Sequence, residues 1–98
     1  MPNYNTDKLA LLDKTYRVKL AAAAEAEPDQ YPWYGSGRLT VDQVADRMMF
    51  AVRDYGIGAV SITGHAWEAT RKEFGLIHKS YKAWEQWLTE PPSESTSA

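Results

Sequence analysis

Apolar positions recur at helical spacing through most of the chain. From Thr6 to about Glu27, Leu9, Leu12, Tyr16, Leu20 and Ala23 fall three or four residues apart, which places them on one face of a helix. Thr6 can accept a hydrogen bond from a free N–H of the first turn, and Asp7 suits the positive end of the helix dipole. The run Ala21 to Ala24 has high intrinsic helix propensity, and Pro28 ends the segment. Residues 15–20 alternate polar and apolar, the period of a strand, so a strand competes there. The alanine run that follows without a break favours the helix.

A second helix is predicted over residues 40–55. Thr40 and Gln43 have the spacing of a capping box, in which each side chain satisfies a free backbone N–H. Val41, Val44, Ala45, Met48, Val52 and Tyr55 line one side, and Met49 and Phe50 widen the apolar arc, so burial on more than one side is expected. Gly56 suits a left-handed cap. Residues 59–63 are short, β-branched and alternating, which allows one minor strand. From His65 the helical period returns. Trp67, Thr70 and Phe74 share a face, Glu68, Arg71 and Lys72 point away, and Gly75 closes the third helix. Ile77, Tyr81, Trp84 and Leu88 then fit a fourth helix, with Trp87 beside the stripe and Pro91-Pro92 as its stop. The pattern predicts a mainly α fold: one compact domain over residues 1–90, about four helices ending in an αα-hairpin, and a polar tail over 91–98 expected to be disordered.

Between the first two helices, residues 28–39 hold two Pro, two Gly and three aromatics, which predicts a structured loop. Its rings can cover an undersized core or form a binding surface.

Composition narrows the class. The chain has 98 residues, 44% hydrophobic, with four Trp and six Tyr, which suits one folded domain. No cysteine is present, so disulfides, thiol nucleophiles and Cys-ligated zinc are excluded. That composition fits a reducing, cytoplasmic setting. No apolar run is long enough to span a bilayer, and the first residues have no basic start or apolar signal core, so neither membrane insertion nor secretion is expected. The net charge of −2 argues against a general polyanion binder. Only residues 65–89 lean basic, through Arg71, Lys72, Lys79 and Lys82 against Glu68, Glu73 and Glu85.

Catalytic patterns are not found. His65 and His78 have no second ligand at metal-binding spacing, and no G-x-S-x-G or Walker loop occurs. Asp42 and Asp46 share a helix face but would need burial for acid–base work. The Asp54-to-Gly58 stretch has turn chemistry rather than that of a phosphate loop. A non-enzymatic protein without metal or small-molecule cofactor is expected.

The segment from Phe74 to Leu88 carries the one chemical outline. Gly75 can serve as the tight turn, Tyr81 and Trp84 would hold the following helix on the core, and basic residues stand at that helix's start. Over residues 66–89 this resembles the helix-turn-helix family of DNA-binding domains. The resemblance implies that His78, Lys79, Ser80 and Lys82 face double-stranded DNA, with Lys and Ser contacting phosphates or base edges. One position departs from the pattern: four residues before the turn glycine, where the family places a small residue at the helix crossing, stands Arg71. Residues 62–88 also have a fainter similarity to small proteins carried by phages and prophages.

The competing expectation is a small regulatory protein that binds a protein partner, or a second copy of itself, through spare aromatics. Four Trp exceed what so small a core needs, and aromatics anchor protein interfaces. Trp33, Tyr34 and Trp87 fit least easily into a core. The first reading is therefore protein binding through these three rings, and the alternative is DNA binding through the helix at 78–88.

Overall fold

The computed structural model describes residues 3–59 and 65–91, and among them every regular element is helical. Helix α1 spans Thr6–Ala26, α2 is a single turn at Pro32–Gly35, α3 spans Val41–Tyr55, α4 spans His65–Glu73 and α5 spans Tyr81–Thr89. Two 3-10 turns, Pro28–Gln30 and Ile57–Ala59, join them. The mainly α expectation holds, and residues 15–20 belong to α1 rather than to a strand. Of the strand expected at 59–63, Ala59 lies in a 3-10 turn, and the rest falls outside the described residues. The expected tail, apart from Pro91, also falls outside them.

Local chemistry sets the boundaries. Asn5, not Thr6, caps α1: its Oδ1 accepts the Lys8 N–H at 3.0 Å. Thr40 and Gln43 form the full capping box of α3, with bonds of 3.1 and 2.8 Å. Gly56 ends α3 with φ +95 and ψ 161, a mirror-image extended conformation rather than the left-handed helical one, which glycine alone adopts at little cost. α5 begins four residues later than the spacing from Ile77 predicts. Ser80 supplies its cap by accepting the Ala83 N–H, which leaves Ile77 in the connecting turn.

The core lies between α1, α3, α4 and α5. Leu12, Tyr16 and Leu20 of α1 meet Ala45, Met49 and Val52 of α3, Ala66 and Trp67 of α4, and Trp84 and Leu88 of α5. Ile57 and Leu76 fill the space from the connections. Aromatic rings run through the middle. Tyr16 stacks on Trp67 with centroids 4.2 Å apart, and Trp67 meets Trp84 edge-on at 5.5 Å. These contacts join α1, α4 and α5, and aromatic pairs add roughly 0.5–1.5 kcal/mol each beyond area burial. Thr70 is fully buried and satisfies its hydroxyl by donating to the Ala66 carbonyl at 2.7 Å.

Three apolar side chains depart from their expected stripes. Phe50, Tyr55 and Tyr81 stand in solvent. The core-facing arc of α3 is narrower than the pattern suggests: among the described residues, α1 and the Ile57 turn cover one of its sides.

A polar network sets how α1 lies on α3. The Arg17 guanidinium bonds Asp13 at 2.6 Å, Asp42 at 2.9 Å and also Asp46, while Arg53 reaches Asp13 at 3.4 Å. These bonds, that to Asp13 foremost, hold the Arg17 pKa above its ordinary value. Because Asp42 and Asp46 are largely solvated, each pair contributes no more than about 1 kcal/mol and serves mainly to fix register.

The residues before α1 fasten the far end of the molecule. The Asn5 N–H donates to the Leu88 carbonyl at 2.7 Å, and Tyr4 donates its hydroxyl to Glu85 while accepting the Ile57 N–H. Burial pushes the Tyr4 phenol up to about 12, with the Ile57 bond opposing and Glu85 adding to the rise. Burial pushes Tyr16 to about 12 as well. Both phenols therefore stay neutral in the fold at a pH where the unfolded chain has begun to ionise. Their contribution is whole below pH ~10 and is lost as pH rises from ~10 through ~12. Urea unfolding should show the midpoint falling steeply between about pH 10 and pH 12, with a shallower fall in Tyr16→Phe. Equal slopes in the two proteins would contradict the assignment to Tyr16.

Candidate functional site

The four side chains expected at DNA surround the start of α5. His78, Lys79 and Lys82 are exposed, whereas the Ser80 hydroxyl is engaged as the helix cap. The connection from α4 to α5 runs over residues 74–80, longer than the three- or four-residue turn of a helix-turn-helix. Gly75 does adopt positive φ, at +72. Lys82 shares the outer face of α5 with Glu85 and Gln86, and Glu90 follows, so the basic character does not extend along the helix.

Arg71 does not point away from the core. Its Nη2 donates to the Lys79 carbonyl at 2.7 Å and the Leu76 carbonyl at 3.3 Å, and its guanidinium lies 5.4 Å from the Trp84 ring centre. The residue that breaks the family pattern spans the turn and holds it against α5.

The three expected interface rings do not form one cluster. Trp33 packs partly against the core, with Tyr31 and Tyr34 edge-on at 6.0 and 6.1 Å. Tyr34 is 37% exposed. Trp87 is half-buried elsewhere, against Phe74 at 4.6 Å. The Lys8 ammonium covers its ring at 3.9 Å and donates to its carbonyl at 3.0 Å. Burial lowers the Lys8 pKa, with Glu90 acting in the opposite direction.

A different surface gathers apolar side chains. Leu11, Thr15, Val18, Ala22 and Ala26 recur at helical spacing on α1, beside the buried series Leu12, Tyr16, Leu20 and Ala24. Leu11 is 42% and Val18 60% exposed. Facing this second stripe across a shallow furrow are His65, Ala69 and Glu73 of α4, with Phe74 at one end. One end, about 330 Å³, is lined by Leu11, Val18 and Phe74. The opposite end, about 560 Å³, is lined by Ala22, Ala23, Ala26 and Ala69. Lys19 bridges the middle to Glu73 at 3.0 Å, and His65 pairs with Glu27 at 3.4 Å. The two interlocked stripes on α1 were the available signal for this surface. The spacing of Leu9 to Ala23 draws attention to the first stripe, and Val18 reads as part of a strand-like alternation.

Among the described residues no group of three or more His, Cys, Asp or Glu could hold a metal ion, and no helix is long and apolar enough to cross a membrane. No protein-family model, curated protein or solved structure matches the chain.

Proposed function

We propose that this chain is a small non-catalytic regulatory protein that works by binding a partner protein, and that the α1–α4 furrow is its docking face. The observation that carries this reading is the second apolar stripe of α1. A helix with one face in the core needs one stripe, and α1 carries two, of which Leu11 and Val18 stand in solvent next to Phe74. Trp87, the ring expected as an anchor, supports the Phe74 end from behind. Trp33 and Tyr34 form a separate aromatic corner and are secondary in this reading. The DNA alternative draws support from Lys79 and Lys82 beside the start of α5, but the acidic residues along that helix disfavour it.

Affinity capture with the wild type, Val18→Asp and Phe50→Asp tests the reading. Both substitutions sit on exposed positions of helices, so their melts should change little, within about 0.5 kcal/mol. Val18→Asp should reduce recovery of the partner by about tenfold or more, as expected for a charge placed in a desolvated contact, while Phe50→Asp should not. Equal recovery with Val18→Asp would remove the furrow from consideration. Binding of duplex DNA at about 50 mM salt that falls when Lys79 and Lys82 are removed would favour the alternative.

A further inference from the structure

The shape and charge of the furrow narrow the class of partner. From Leu11 to Ala26 the α1 stripe spans four helical turns, about 22 Å at 1.5 Å per residue. A strip of that length and one helix wide projects to roughly 220 Å², a few hundred Å² of accessible surface, below the ~800 Å² per partner of a stable dimer. It matches a single docked helix. The furrow is lined by the large side chains Leu11, Val18 and Phe74 at one end and by alanines at the other, roomier end, where a second backbone can approach closely. Lys14 and Lys72 are exposed and line its two sides, with Lys19 between them. The carboxylate among them, Glu73, is paired with Lys19, and Glu27 lies at the far alanine end beside His65, leaving three lysines against two carboxylates along the furrow. The rim along most of the furrow therefore has positive charge to spare, although the whole chain is negative.

We infer that the occupant is an amphipathic helix of about four turns, apolar on one face and flanked by Asp or Glu, which docks along α1 and α4 as a third helix. This rests on the protein-binding reading above and adds the chemistry of the partner. Apolar side chains would enter at Leu11, Val18 and Phe74, and acidic flanks would meet Lys14 and Lys72. Opposite charge on the rim governs choice of partner more than total affinity.

The test uses two synthetic peptides of about 18 residues with the same Leu-rich face, one flanked by Glu and one by Lys. Binding to the full chain is followed by titration calorimetry and by backbone amide shifts. The Glu peptide should bind about tenfold or more tightly than the Lys peptide, and the preference should shrink at about 0.5 M salt. Shifts should centre on Leu11, Val18, Ala22, Ala69 and Glu73. Val18→Asp should weaken the Glu peptide about tenfold, and Lys14→Glu with Lys72→Glu should reverse the preference. Equal affinity for both peptides, shifts centred elsewhere, or no binding of the Glu peptide below ~1 mM would overturn the inference. So would self-association of the chain that Val18→Asp abolishes, since the occupant would then be a second copy. If capture depends on Val18 but the captured contact is not an acidic helix, this inference fails and the docking face stands. If capture does not depend on Val18, both fail.

Discussion

Trp84→Ala should lower stability by about 3–5 kcal/mol, the usual cost of removing a large aromatic from a packed core. The side chain is fully buried, meets Trp67 edge-on and lies beneath the Arg71 guanidinium. Its loss leaves a cavity where α1, α4 and α5 converge, and none of the three can close it without leaving its other contacts. Domains of this size hold about 5–15 kcal/mol in total, and each kcal/mol moves the midpoint by roughly 4–8 °C. A melt followed by circular dichroism should therefore drop by about 12 °C or more. Tyr81, three residues earlier, is the internal control. It is 48% exposed and its ring lies 6.0 Å from the Arg71 guanidinium, so Tyr81→Ala should lower stability by about 1 kcal/mol or less. A Tyr81→Ala melt that falls as far as that of Trp84→Ala would mean that α5 is rotated from its described position.

That contrast shows what periodicity can and cannot decide. Spacing groups Tyr81, Trp84 and Leu88 on one stripe, and Trp84 and Leu88 are indeed buried. It does not say how far the neighbouring elements reach. The 74–80 connection delays the start of α5, so Tyr81 falls at the edge of the covered zone. The same holds on α3, where Met49 is buried and the adjacent Phe50 is not. Signals with a single local cause were legible to the residue: the Thr40–Gln43 capping box, the positive φ of Gly75, and Gly56 as the stop of α3, although not Gly56's mirror-image extended conformation. The Asn5 cap was not, because Asn5 and Thr6 are both good cap residues and only the tie of Asn5 to Leu88 fixes which one serves. The furrow was hidden for a related reason. The Leu11 and Val18 series becomes a surface only once α3, α4 and α5 have claimed the neighbouring stripe of α1. Helical spacing sets Arg71 off the Trp67–Thr70–Phe74 face, and a charged residue on a short helix is usually solvated, so the pattern points it outward. Its inward turn depends on carbonyls in the following connection, which no helical period can reveal.

Arg71→Ala should cost about 2–4 kcal/mol, and Arg71→Lys should not restore it. The guanidinium makes a charge-assisted bond to the Lys79 carbonyl and a longer one to the Leu76 carbonyl, while its plane covers Trp84. A hydrogen bond from a charged group contributes roughly 1.5–3 kcal/mol, at the lower end here because the Lys79 bond is exposed, and a cation over an aromatic ring adds about 0.5–1. Removing the side chain takes the donor from the Lys79 carbonyl and uncovers one face of Trp84, while the Leu76 carbonyl keeps the Lys79 N–H at 3.0 Å. Lysine brings a compact ammonium in place of a planar fork, so it cannot reach both carbonyls and lie over the ring together. The loss should be local as well as global. Amide hydrogen exchange should accelerate first over the 74–80 connection and the first turn of α5, with α1 and α3 following only at the level of global unfolding. Full rescue by lysine would reduce the role of Arg71 to its charge alone. Exchange that accelerates evenly over all helices would show that the turn is not held by this side chain.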